Sequence, residues 1–342
     1  MTARSVRLAG GASLPYDRLV IATGSKYSYF GHPEWARLAL GPHTLEEART
    51  IRGQLLSAFE RAEMAESRAE QDVLMTTVVV GGGPTGVEMA GSVAELARHA
   101  LARDFRRIDP RRARILLIEA GPRLLTAFPE SLASYAHAAI ERIGVTVMTG
   151  QAVEAVEPGA VIVAGRRIEA GTIVWGAGVQ ASNAGQWLGV ELAKDGRVPV
   201  NPDLSVKGVA DIYVLGDTAL TTGDDGAPLP ALAQVAAQQG THLGRGLARN
   251  LTDGTPLAPF RFHNRGNTAI VGRNAAIFDF GWLRLKGRLA WVLWAIVHIY
   301  LLVGFENRLR VSLDWFWRYI TYERGARLIM PARANVATDQ GA

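Results

Sequence analysis

The chain has 342 residues, 48% of them hydrophobic, and a formal net charge of +5, which is enough material for two or more domains with buried cores. It contains no cysteine, and this excludes disulfides, thiolate metal centres and a redox-active dithiol. No metal site is assigned, and with nothing resembling a nucleic-acid-binding module no nucleic-acid partner is expected.

Val6-Arg7-Leu8 and a glycine pair open the chain, followed by Tyr16-Asp17-Arg18-Leu19-Val20-Ile21-Ala22-Thr23-Gly24. This reads as a short strand or hairpin, then an apolar strand ending in Ala-Thr-Gly, with no apolar core of a secretory signal. From His43 to Gln71 the pattern is helical, with Thr44 and Glu47 placed as a capping box and Leu45, Ile51, Leu55 and Phe59 on one face.

The run Thr76–Val80 is β-branched and reads as a buried parallel strand; small and apolar residues from Val87 to Ala97 read as a helix. Between them Gly81, Gly83 and Gly86 fill the three glycine places of GxGxxG. In such a turn the first glycine permits the bend, the second admits a pyrophosphate, and the third lets helix and strand pack closely. The anion rests on the free amides of the helix start. A second strand, Ile115–Ile118, ends in Glu119, where the fold places an acid for the ribose hydroxyls. That acid opposes a 2′-phosphate and favours NADH over NADPH, although Arg123 stands near.

A helix over Ser131–Ile143, a strand Val145–Val147, a hairpin near Ala160–Val163 and Arg167–Ile168, and a strand Thr172–Trp175 follow. Gly176 to Ala181 matches GxGxxA, but no helix and partner acid follow, so it reads as a turn. Asp211–Asp217 is an apolar strand ending in Gly216-Asp217, where a carboxylate can hold a ribityl hydroxyl or simply cap a turn. Leu232–Leu243 is helical, rich in small residues and amides.

From Phe260 the character changes. Strands around Thr268–Val271 and Ala275–Phe280 precede Leu289–Phe305, a run broken only by His298 and Tyr300, at the lower length limit for a membrane span. A second aromatic cluster, Trp315-Phe316-Trp317, Tyr319 and Tyr322, is interleaved with Arg318 and Arg324 and suits a helix lying in the membrane interface. Residues 282–330 hold eight Lys/Arg against three acids, and five of the eight tryptophans. This favours a membrane surface as partner, with a buried helical hairpin as the alternative.

Tyr16–Gly24, Gly81–Glu88, Ile118–Glu119, Val174–Gly178, Tyr213–Asp217 and Ala233–Gly240 occur in the order seen in two-dinucleotide flavoprotein reductases. Within them the chain resembles the type II, non-proton-pumping NADH dehydrogenases, through Gly-Gly-Gly-Pro-Thr-Gly-Val-Glu at 81–88, Ala-Gln-Val-Ala-Ala-Gln-Gln-Gly at 233–240 and the basic aromatic C-terminal region. The likeness runs from Val6 to Met330. It implies an α/β protein with two Rossmann-like domains, FAD and NADH as cofactors, and a quinone substrate. It further implies attachment to the cytoplasmic face of the cell membrane, monotopic or peripheral, with a single span over 289–305 left open. By the resemblance Thr23, Gly24, Gly216 and Asp217 contact FAD; Gly81, Gly83, Gly86, Glu119 and Gly178 contact NADH; Glu88 lies where flavin, nicotinamide and quinone meet; and Gln234 and Gln238 line the quinone pocket. Read on its own, Glu88 is an acid in a helix's first turns, a place acids take to stabilise the dipole.

Family members start with an FAD fingerprint of their own, and no GxGxxG precedes Gly81. The expectation is therefore an FAD domain incomplete at its start, with weakened FAD retention. The expected division is 1–40 for the FAD-domain remnant, 41–190 for NADH, 191–258 for the returning FAD segment and 259–342 for membrane association. A soluble ferredoxin or rubredoxin reductase and an inactive membrane-attached NADH-binding remnant are the rival readings. Quinone type and oligomeric state, a homodimer included, stay open.

Overall fold

The computed structural model describes residues 4–301 and 305–321. Tyr322, Arg324 and the stretch to Met330, and residues 302–304 of the apolar run, lie outside the described residues. Two compact units form, each from two stretches of chain: residues up to Ser28 with Val179–Arg265, and Tyr29–Gly178 with residues from Gly266 onward.

The first unit is built on short pairings. Strand Leu19–Ile21 runs parallel to Ile212–Val214, and Ser25–Tyr27 pairs antiparallel with Val179–Ala181. The second GxGxxA match thus ends in a strand, as the turn reading has it. Ile21, Leu204, Ile212, Val214 and Leu243 are buried together, which seats the long helix Ala233–Asp253 against the parallel pair.

The second unit centres on a parallel sheet in the order Thr172–Trp175, Thr76–Val80, Arg114–Glu119, Val145–Thr149. Its two middle strands are apolar almost throughout because both faces are covered. The fingerprint helix, Pro84–Glu95, and helices Leu45–Met64 and Glu130–Arg142 contribute buried residues to the same core. The Thr44–Glu47 capping box forms, but the expected single helix over 43–71 is two, Leu45–Met64 and Arg68–Leu74. Ala65 is extended, and the Ser67 hydroxyl accepts the Glu70 N–H, so a new cap outcompetes continuation. The hairpin at 160–169 gains a third strand, Val153–Glu157.

An antiparallel sheet of Asn267–Gly272, Ala275–Asp279 and Arg284–Gly287 belongs to this second unit. It packs on the fingerprint helix at Gly91, where a Cβ would lie 2.1 Å from the Val271 carbonyl oxygen. The Glu95 carboxylate accepts the Arg273 N–H. The observed breaks at Ser28/Tyr29 and Gly178/Val179 fall earlier in the chain than the expected ones at 40/41 and 190/191, and the segment expected to stand apart from residue 259 is compact, from Gly266, with the dinucleotide unit. The C-terminal sheet joins this unit because the small-residue face of the helix lets a strand backbone approach.

The apolar run becomes helix Arg288–Leu301, followed by helix Phe305–Thr321. Fourteen residues rise only about 21 Å against an apolar core of roughly 30 Å, and among the described residues no helix is long and apolar enough to cross a membrane.

Candidate functional site

The dinucleotide turn is built to the demands of its three glycines. Gly81 has φ +107, and a Cβ on Gly86 would lie 1.7 Å from the Gly81 carbonyl oxygen, so strand and helix meet closer than any side chain permits. Gly83 is extended, caps the helix without a side chain, and has nothing within 4 Å of where a Cβ would stand. Pro84 takes the first helical position, where its missing N–H costs nothing. The result is an open cradle facing the unpaired amides of the first turn, which fits a pyrophosphate.

Glu119 closes this cradle from the neighbouring strand. One carboxylate oxygen accepts the Gly82 N–H and the other the Gly121 N–H at 2.6 Å. Each oxygen accepts more than one donor, so capacity remains for ribose hydroxyls. Arg123 is spent elsewhere: its guanidinium donates to the carbonyls of Phe128 at 3.1 Å and Thr126 at 3.0 Å. The cation that left the NADH preference in doubt is thus tied into its own loop.

Gly178, at φ +67, ends the sequence of expected NADH contacts. A Cβ there would meet the Phe30 ring at 2.7 Å, and Phe30 itself is exposed with φ +50. Nothing in the sequence singled out Phe30. Beside it Tyr29 stacks on Trp175 at 5.1 Å and donates to the Ala39 carbonyl; burial first, then the Glu47 charge, pushes its hydroxyl up to about 12.

Glu88 sits on the fingerprint helix, one turn in. Its Oε1 accepts the Ile270 N–H at 3.1 Å. Burial pushes its carboxyl above the usual range, opposed by that amide and by the charge of His298. His298 donates from Nδ1 to the Trp294 carbonyl at 2.9 Å and lies against the Trp294 ring. A part-buried acid whose carboxyl is pushed above the usual range holds its proton more tightly than an exposed one. Helix-dipole stabilisation is therefore the weaker account of Glu88, since the acid is turned toward the C-terminal sheet.

In the first unit the expected flavin residues gather at the carboxyl ends of the parallel pair. Thr23 Oγ1 lies 2.5 Å from Ser182 Oγ, and Thr218 Oγ1 donates to the Gly24 carbonyl at 2.9 Å. Asp217 accepts from Ser25 Oγ at 2.7 Å and faces a cavity of about 230 Å³ that Ser25, Gln180 and Arg197 also line. Strand ends carrying a half-buried carboxylate fit a polyhydroxyl chain. Gln239 was missed: fully buried, it accepts the Gly216 N–H at 2.7 Å and donates to Thr221 Oγ1 at 3.0 Å, fixing the turn that carries Asp217. Its signal was only an amide on the buried face of a helix.

Gln234 and Gln238 are engaged with the segment after their helix. The Gln238 amide pairs with His263 twice, accepting its N–H at 3.0 Å and donating to its carbonyl at 2.9 Å, and Gln234 accepts the Arg265 N–H at 3.0 Å. In the other unit the C-terminal helices expose Leu289, Val292 and Ile296 on one and Leu309, Leu313 and Trp317 on the next, an apolar stripe on each. Trp294 and Trp315 stack at 5.5 Å between them.

Two family matches cover the chain: residues 1–240 match the pyridine nucleotide-disulphide oxidoreductases, and residues 264–322 the NDH2 C-terminal domain. The chain is 36% identical over 335 residues to the type II NADH:quinone oxidoreductase Ndh of Mycobacterium tuberculosis, covering 95% of this chain and 71% of that protein. It is 36% identical over 328 residues to NdhA of the same organism, covering 92% and 69%. Its fold superposes on NDH2 of Plasmodium falciparum in complex with NADH with a TM-score of 0.85, at 19% identity over 95% of this chain and 82% of that one. The relatives' identity over more than two thirds of each chain shows that the chain belongs to the type II NADH:quinone oxidoreductases.

Proposed function

We propose that the two units divide one reaction between them. The chain is an NADH:quinone oxidoreductase with FAD and NADH as cofactors, associated with the membrane that holds its quinone. On this reading Gly81, Gly83 and Gly86 cradle the NADH pyrophosphate, Glu119 takes the adenosine ribose, and Gly178 with Phe30 borders the nicotinamide end. Thr23, Gly24, Gly216 and Asp217 hold FAD, with Asp217 on the ribityl hydroxyls. FAD, when bound, takes the hydride from NADH and yields two electrons to the quinone.

The chain's own part in quinone reduction is positioning and proton supply. The observation that carries this reading is Glu88, a carboxyl of raised pKa on the NADH-binding helix that is hydrogen-bonded to the membrane-side sheet. It is the group to hold a proton for the quinone oxygen. Gln234 and Gln238 line the quinone pocket on this reading, held by their hydrogen bonds to Arg265 and His263. Exposed Arg284, Lys286 and Arg288 beside the apolar helix faces favour an anionic leaflet on the cytoplasmic side, where NADH is supplied. The rival soluble ferredoxin reductase has no use for such faces.

The test is rapid anaerobic mixing of the FAD-loaded protein with NADH, then with a quinone. NADH should bleach the flavin absorbance and quinone should restore it. A flavin that NADH leaves oxidised would overturn the reading.

A further inference from the structure

The dinucleotide unit holds a second cavity, of about 680 Å³, at the far end of the fingerprint helix from the glycine turn. The two are about 20 Å apart along the helix, and the volume suits a small ligand. Arg98, Arg142 and Arg273 line it against one acid, Glu95, so its wall carries surplus positive charge.

Arg98 stands on a π-helical turn, Leu96–Ala100, that ends the fingerprint helix; such turns shift side chains out of helical register and recur at functional sites. Its Nη2 donates to the Gly144 carbonyl at 2.9 Å, while its Nη1 is shut off from solvent with no hydrogen-bond partner among the described residues. Arg142 ends the helix Glu130–Arg142, with its guanidinium 5.9 Å from the centre of the Tyr135 ring; Lys286 Nζ lies 5.5 Å from the same ring. Helix dipoles account for a cation at each helix end, but not for three arginines lining one cavity. A smaller pocket, of about 290 Å³, shares Ser92, Glu95 and Arg273 with this cavity and is otherwise walled by Ile270, Gly272, Trp291 and Trp315. It is apolar and reaches the two C-terminal helices.

We propose that the cavity and the adjoining pocket together bind one anionic phospholipid, with its phosphate among Arg98, Arg142 and Arg273 and an acyl chain against Trp291 and Trp315. Guanidinium groups match phosphate oxygens in charge and in forked geometry. A free phosphate would leave the tryptophan-walled half unused. The headgroup lies on the unit that binds NADH, so the lipid ties that unit to the membrane independently of the exposed helix faces.

Thermal unfolding of the FAD-loaded full chain tests this, with dihexanoylphosphatidylglycerol kept below its micelle-forming concentration, dihexanoylphosphatidylcholine, and glycerol 3-phosphate. Monomeric lipid makes the readout independent of membrane attachment. The phosphatidylglycerol should raise the melting temperature saturably and the other two should not. Arg142→Gln, at an exposed helix end, should weaken its apparent affinity about tenfold or more, the worth of one charge-assisted pair. Arg310→Gln, the same charge change outside the cavity, and Trp317→Ser, on the membrane face, should not change the affinity. An equal response to glycerol 3-phosphate, an equal loss in Arg310→Gln, or no saturable shift at all would each overturn the assignment.

Discussion

If the stripes on the two C-terminal helices are the membrane face, replacing their apolar tips should detach the protein without harming its chemistry. Ile296, Leu313 and Trp317 are 58%, 61% and 60% exposed, so only that share of each side chain is free to enter the interface. Full burial of a large apolar side chain is worth about 1.5–3 kcal/mol, which scales to about 1–2 kcal/mol for each of these. The triple variant Ile296→Ser/Leu313→Ser/Trp317→Ser should therefore lose about 3–5 kcal/mol of membrane binding, or roughly two to four orders of magnitude in partition. Co-sedimentation with phosphatidylcholine vesicles measures this directly. Reduction of a water-soluble quinone by NADH should stay near wild type, because none of the three residues lies in the cores of the two units. A triple variant that partitions as well as wild type would refute the membrane-face reading and favour a buried interface there.

Glu119→Gln should raise kcat/KM for NADPH relative to NADH, by removing the charge that opposes a 2′-phosphate; an unchanged ratio would mean that Glu119 only braces the turn. Burial raises the Glu88 carboxyl, so the folded chain holds that proton more tightly than the unfolded one, and stability falls as pH rises from the ordinary carboxylate range through the raised value. Glu88→Gln should flatten that limb of the melting-temperature profile and slow reoxidation of the flavin by quinone more than its reduction by NADH. Gln238→Leu removes the paired amide from the exposed His263 N–H and carbonyl, which water can then reach, and should cost about 0.5–1.5 kcal/mol per bond at most, read by denaturant unfolding. If it raises the KM for quinone with stability unchanged, the amide faces the substrate instead.

The sheet at the centre of the dinucleotide unit was legible because parallel strands buried on both faces are written as unbroken apolar runs, as in Thr76–Val80 and Ile115–Ile118. Glu119 was legible for a different reason: an acid ending such a run has few other uses. What the sequence hid was long-range placement. Nothing in the spacing of Gln234 and Gln238 says that their amides pair with residues some 25 to 31 positions on. Likewise Phe30 becomes relevant only when the chain brings it over Gly178. The apolar run 289–305 was legible by hydropathy alone, and among the described residues it forms helix Arg288–Leu301, with Phe305 opening the next helix.

The fingerprint helix explains why the C-terminal sheet belongs with the dinucleotide unit and not apart from it. Its first turn must be small for the pyrophosphate and for the strand behind it, and the same economy of side chains at Gly91 and Ala94 leaves a groove on another face. Strand Asn267–Gly272 fills that groove with backbone, its Ile270 N–H going to Glu88 and the Arg273 N–H beyond it to Glu95. Glu88 and Glu95 lie seven residues apart, two turns of helix, and so project from one face. One helix thus presents the open glycine turn at its start and two carboxylates to the C-terminal sheet along its length. The Ile270 N–H thus holds the Glu88 carboxyl against that sheet.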